Sequence, residues 1–164
     1  MKKSVLFLFF ITLILFGCNG NKNKKIDIQK EKNAIKRVLE KYALANENQD
    51  MGMIEDIWYP SENIVSFGTE SGEKMVGWAK IRNTVQNQFN TFSNTFISYH
   101  DQIIEVNETG NTAWFSELIN YNFILDSVAR SYEGLRYTGV LVKKNGKWLL
   151  VQTHMSVPEI PKPQ

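Results

Sequence analysis

The sequence predicts an α+β fold, with N-terminal helices packed on a strongly curved antiparallel sheet. Three observations carry that expectation. Helical spacing dominates the chain up to about Phe92, and period-two patterning dominates after it. The strands after that point are long, whereas those before it are short. Long strands beside short ones imply a bent, twisted sheet, and a sheet curled around a helix makes a cone with a mouth.

The elements follow in order. Between Ile28 and Glu47, the residues Ile35, Val38, Leu39 and Tyr42 repeat at helical spacing, with charges on the opposite face. Asp50 is placed to cap a short helix over Met51–Ile57, which Pro60 ends. "NIVSFG" reads as a short strand and "ESGEK" as a turn into a second one at Met75-Val76. Gly77 precedes a third helix, on which Trp78, Ile81, Val85 and Phe89 share a face. Four long strands then cover roughly Thr95–Val106, Thr112–Ile124, Ser131–Lys144 and Lys147–Val157. "NETGN" and Asn145-Gly146 are hairpin turns between them.

The 164 residues are enough for one domain. Setting aside Lys2 and Lys3, the 19 basic residues fall to the number of acidic ones, 17. No basic stripe remains for a nucleic acid. The start is different in kind. Lys2 and Lys3 precede an apolar run from Val5 to Phe16, too short for a comfortable membrane span. It ends in Leu15-Phe16-Gly17-Cys18, which resembles the lipobox of bacterial lipoproteins, although Phe16 is bulkier than the small residue usual there. The resemblance implies a signal peptide over residues 1–17, lipidation of Cys18 and a flexible tether over 18–26. It also implies a membrane-anchored lipoprotein of the bacterial cell envelope, with membrane and leaflet left open. An uncleaved N-terminal anchor is the alternative. The domain itself is expected over 27–158, with a tail over 159–164. Cys18 is the only cysteine, so no disulfide, thiolate metal site or cysteine nucleophile is expected. Two histidines without paired spacing predict no metal site, and no cofactor motif is present.

Candidate site residues come from strand parity. In "WFSELINYNF", Glu117 falls on the same face as Phe115, Ile119, Tyr121 and Phe123. A carboxylate facing a dry core costs several kcal/mol or stays protonated, so Glu117 is expected either to face a pocket or to be turned out by a bulge or sheet edge. A two-residue turn at Asn145-Gly146 sets Tyr137 opposite His154 and Gly139 opposite Gln152. Leu135, Tyr137, Leu141, Trp148, Gln152 and His154 then share one face, apolar with convergent polar groups at one end. His154 is expected to line the pocket as a hydrogen-bond partner or general base, or else to be a structural histidine. Arg136 and Asp101 are expected to pair with each other or with Glu117. Trp58 and Tyr121 complete the apolar lining, with core packing as the alternative.

At "ALANENQDMGMIEDIW", "VSFGTESGEKMVGWAKIRNTVQNQF" and the closing "LRYTGVLVKKNGKWLLVQTHMSVP" the chain resembles SnoaL-like domains of the nuclear transport factor 2-like superfamily, over about residues 28–158. The resemblance implies a cone with an internal pocket, often dimerised through its sheet into a homodimer. It does not imply one activity, because the superfamily contains isomerases, cyclases, dehydratases and non-catalytic members. Three functions are therefore carried forward. The first is binding of a small, largely apolar molecule. The second is cofactor-free proton transfer of the ketosteroid isomerase-like kind, with Glu117 or His154 as base and Tyr137 as hydrogen-bond donor. The third is an interaction module that pairs through its sheet. No motif places the catalytic aspartate of ketosteroid isomerase-like enzymes on this sequence.

Overall fold

The computed structural model describes residues 26–159. The expected signal peptide, Cys18, nearly all of the tether and residues 160–164 lie outside the described residues.

Asp27 accepts a hydrogen bond from the Lys30 backbone N–H at 3.0 Å and so starts α1 (Ile28–Glu47). The helical repeat buries Ile35, Leu39 and Ala43 along one stripe. Asp50 caps α2 (Met51–Ile57) in the same way, through Met53 N–H at 3.0 Å. The chain then makes two short strands, β1 (Val65–Phe67) and β2 (Lys74–Val76). Gly77, at φ 82°, turns it into α3 (Trp78–Thr91), which buries Ile81 and Phe89. Four long strands complete the fold: β3 (Phe92–Val106), β4 (Thr112–Leu125), β5 (Val128–Lys144) and β6 (Lys147–Ser156).

The sheet order is β2-β1-β6-β5-β4-β3. Every pairing is antiparallel except one: β1 runs parallel to β6, with Ser66 beside Thr153 and Phe67 beside His154. The expectation of an all-antiparallel sheet is corrected to that extent, and the sheet is mixed and open. α1 lies across its inner face, where Tyr42 stacks on Tyr137 with ring centroids 5.0 Å apart.

Four register shifts bend the long strands. On β3, Asn94 and Thr95 oppose Phe123 alone, and Asp101 and Gln102 oppose Glu117 alone. On β5, Glu133 and Gly134 oppose Asn120, whose side chain accepts from the Gly134 N–H at 2.9 Å. On β6, Val151 is the extra residue. The hairpin turn itself is as expected, with Lys144 opposite Lys147. Beyond Val151, however, the parity reverses. Tyr137 faces Met155, not His154, and Gly139 faces Thr153, not Gln152. The extra residue exchanges the two faces of the distal half of β6. A β-carbon on Gly139 would sit 2.5 Å from the Gln152 carbonyl oxygen and 2.6 Å from the Phe115 ring, so β5 comes this close to the bulge only as glycine.

The start of α1 is tied to the β5–β6 hairpin. Glu31 accepts two hydrogen bonds from Lys143 Nζ, at 2.6 and 2.7 Å, and one from Trp148 Nε1 at 2.8 Å. Lys143 holds the Glu31 carboxyl below its ordinary range. The outer face of the sheet carries exposed apolar side chains, among them Phe96, Ile103 and Trp114.

Candidate functional site

A cavity of about 260 Å³ lies where α3 and the β1–β2 hairpin stand off from the curved sheet. One wall is a row of near-parallel rings. Phe92 stacks on Phe123 at 3.9 Å between centroids, and Phe123 lies parallel to Tyr132 at 6.1 Å. Leu135 and Met155 continue that wall from β5 and β6, and Ile81 and Val85 face it from α3. At the exposed rim, the β1–β2 turn contributes Thr69, Glu70 and Glu73.

The polar groups are few and divide into two kinds. The first kind is paired within the protein. Ser66 and Thr153 share a buried hydroxyl–hydroxyl hydrogen bond of 2.8 Å across the parallel β1–β6 seam. Gln88 Nε2 donates to the Tyr121 hydroxyl at 2.5 Å, and that hydroxyl donates to Asn46 Oδ1 at 3.2 Å. The second kind lacks such pairing. Trp58 Nε1 and the Tyr137 hydroxyl are buried, and among the described residues neither makes a hydrogen bond of good geometry, although the Tyr42 hydroxyl lies near enough to Tyr137 to act on it. Both side chains line the cavity. Burial pushes the Tyr137 hydroxyl well above its ordinary value, with the neighbouring Tyr42 and Glu117 charges adding to the effect. Burial likewise pushes Tyr42 up to about 12. These phenols are neutral hydrogen-bonding groups at any physiological pH.

Glu117 is buried on the inner face, as its strand parity requires, with 6% of its surface exposed. It lies directly across β4–β5 from Tyr137. Its neighbour on the other side is the β3 bulge, which brings Gln102 Nε2 within 2.6 Å of Glu117 Oε2. Burial raises its carboxyl above the ordinary value, and the Gln102 hydrogen bond offsets part of that. Glu117 does not line the cavity, although its cross-strand partner Tyr137 does.

The remaining sequence-predicted residues do not gather here. His154 is exposed on the outer face, edge-on to Phe67 at 5.8 Å, because the Val151 bulge turned it there. Gln152 is turned outward by the same shift, opposite Val140. Arg136 is exposed and enters no salt bridge among the described residues. Asp101 pairs with His100 at 3.0 Å instead. Trp148 is buried at the far end, committed to Glu31. Of the eight residues named from sequence, Trp58, Tyr121 and Tyr137 line the cavity. Thr153 and Met155 take the places assigned to Gln152 and His154. Gln88 was open to detection, since it follows Ile81 and Val85 on the same helical stripe.

A family model described as a SnoaL-like domain matches residues 35–160. The chain belongs to the SnoaL-like domain family. None of the curated proteins compared with it matches. Among solved structures, it is similar to a nuclear transport factor 2-like superfamily protein from Salmonella enterica serovar Typhimurium. The TM-score is 0.73 and the identity 19%, over 82% of this chain and 95% of that one. It is also similar to the protein called "Putative Scytalone Dehydratase" from Novosphingobium aromaticivorans. There the TM-score is 0.70 and the identity 13%, over 80% and 86% of the two chains. At these identities the likeness is one of fold. This SnoaL-like domain shares the superfamily's cone-like α+β fold.

The buried carboxyl generates a prediction about stability. Because the Glu117 carboxyl is raised in the folded state, folding favours its protonated form. That contribution is fully present below the unfolded value, near 4.5, and is lost as pH rises through the folded value. Glu117→Gln is therefore expected to be more stable than the parent at pH 7, by about 1 kcal/mol, with the advantage vanishing toward pH 4. Urea denaturation of both proteins between pH 4 and 8 measures it. A variant equally destabilised at every pH would contradict a carboxyl whose charged form the fold disfavours.

Proposed function

We propose that this SnoaL-like domain is a binding protein for a small, largely apolar molecule, anchored at the bacterial envelope through Cys18. The single observation that carries the binding reading is the pair of buried donors without a hydrogen bond, Trp58 Nε1–H and Tyr137 O–H, on two side chains that line a 260 Å³ cavity. An unsatisfied buried polar group costs roughly 1–3 kcal/mol. Neither atom has surface open to the cavity, so a bound molecule that brings an oxygen or nitrogen lone pair to that end satisfies them through a small shift of the Trp58 and Tyr137 side chains. The ring wall of Phe92, Phe123 and Tyr132 supplies the apolar contact.

The reading predicts opposite effects from one substitution. Tyr137→Phe removes a buried hydroxyl that makes no hydrogen bond of good geometry, so the empty domain is expected to lose no stability and to gain up to about 1 kcal/mol. Occupancy by the small molecule is expected to fall, as read by native mass spectrometry of the domain purified from its own host. Lost stability with unchanged occupancy would make Tyr137 a structural residue and remove the basis of the proposal.

A second reading is a cofactor-free isomerase, cyclase or dehydratase. It is favoured by one contact, the placement of Glu117 directly across from Tyr137. The name of the Novosphingobium protein points the same way for that protein. A raised carboxyl one strand away from a neutral phenol is a workable proton donor and hydrogen-bond pair. Glu117 lies outside the cavity lining, however, and His154 is on the opposite face of the sheet. Turnover of the copurified molecule that disappears in Glu117→Gln, with binding retained, would select this reading.

The envelope assignment has its own test. Cells expressing the full chain are expected to incorporate labelled palmitate into it and to hold it in the membrane fraction. Cys18→Ala is expected to abolish both. Membrane retention of the alanine variant would favour an uncleaved apolar anchor.

A further inference from the structure

We infer that the end of the domain nearest Cys18 rests on an anionic lipid surface, with Trp114 and Ile103 at the boundary and the lysines of the neighbouring turns on the headgroups. The inference rests on the anchoring reading above and adds the face that meets the membrane.

Three parts of the fold come together at this end. Ile26, where the described chain begins, rests against Gly110 in the β3–β4 connection. The Asn111 carbonyl accepts the Lys143 backbone N–H at 2.8 Å, which joins that connection to the β5–β6 hairpin. Glu31 joins the first turn of α1 to the same hairpin. Cys18 stands eight residues ahead of Ile26. Such a stretch spans at most about 28 Å. A lipid on Cys18 therefore keeps this end within reach of the bilayer.

Two exposed apolar side chains stand beside it. Trp114, 50% exposed, is the third residue of β4, and Ile103, 59% exposed, lies diagonally across from it on β3. Trp114 points away from α1, since Ala113 and Phe115 on either side of it are buried. Val140 continues the patch on β5, opposite Trp114. A tryptophan is favoured at a water–lipid boundary, where its ring is buried while its N–H still meets headgroups. Phe96 and Val76 are exposed too, but Phe96 is at the other end of β3 and Val76 is on the far edge strand.

The charge suits the same surface. Residues 19–32, 105–111 and 143–147 hold eight lysines against four acids. Three of those acids are committed: Asp27 caps α1, Glu31 binds Lys143 and Glu105 pairs with Lys32. Lys30, Lys144 and Lys147 are exposed and form no salt bridge among the described residues. On the adjoining sheet face, β6 has no acid, and the one acid of β4, Glu117, is buried on the inner side. Lysines clustered beside a lipid anchor are drawn to anionic headgroups. Neither Trp114, Ile103 nor these three lysines line the cavity, so the contact does not occupy it.

The full-length protein, reconstituted into vesicles with brominated acyl chains, tests this through tryptophan emission. Of its four tryptophans, Trp58 and Trp148 are buried. In vesicles containing phosphatidylglycerol, brominated lipid is expected to quench roughly a quarter of the emission, and Trp114→Phe to abolish that quenching. Vesicles of phosphatidylcholine alone, or high salt, are expected to reduce it at least about twofold. Quenching unchanged by either overturns the part given to the lysines. Protein that carries palmitate and floats with the vesicles, yet shows no quenching that depends on Trp114, keeps the anchor and overturns this inference. A cross-linked dimer that Trp114→Glu abolishes, with Trp114 unquenched, assigns the patch to a second copy and overturns it too. Protein without palmitate that stays off the vesicles overturns the anchoring reading, and this inference falls with it.

Discussion

A long strand cannot wrap a helix while keeping every ladder hydrogen bond in step. The bulges of β3, β5 and β6 are how this chain resolves that conflict. Each inserts one residue, bends its strand and increases the local twist. Together they let the four long strands curve around α1 and leave room under α3 for a cavity. The same bulges decide which side chains face that cavity. The shift at Val151 sends Thr153 and Met155 inward, and the shift at Asp101–Gln102 delivers the only side-chain hydrogen bond that the described residues make to Glu117. Curvature and chemistry thus have one origin.

How far this was readable from the residues depended on the range of the interaction. The three helices were legible because each announces itself within its own segment. Ile35, Val38, Leu39 and Tyr42 repeat at helical spacing, Asp50 caps, and Gly77 turns the chain. The last hairpin was legible through Asn145-Gly146, a purely local turn signal. Parity along the middle of β4 grouped Glu117 with the inward-facing residues, but the residues left open whether it met a pocket or was turned out, and it does neither: it is buried beside Gln102 and outside the cavity lining. The parallel β1–β6 pairing was not, since nothing in three residues of β1 names a partner more than eighty positions away.

The failure at β6 is more instructive. Parity counted from a correct turn predicted the wrong face for His154 and Gln152, because Val151 looks like any other strand valine. A bulge is a backbone event, and a β-branched residue carries no mark of it. One clue lay across the strand pair. Gly139 has no side chain to place, and its position is where β5 must pass closest to the bulged backbone. Glycine inside an otherwise apolar strand signals a close approach or a bulge. Weighing it that way would have put the parity beyond Val151 in question, and with it the histidine as a pocket residue.

The clamp at the start of α1 has a mechanical meaning. Whatever pulls on the chain ahead of Asp27 delivers its load to the first turn of α1, where an isolated helix frays most easily. Glu31 stands in that turn and is bound three ways to Lys143 and Trp148. Ile26, just before it, rests against Gly110 in the β3–β4 connection. Force arriving from the N-terminal side is therefore shared at once between two hairpins of the main sheet. Neither Glu31, Lys143 nor Trp148 is part of the cavity lining, so such a load does not fall first on the cavity.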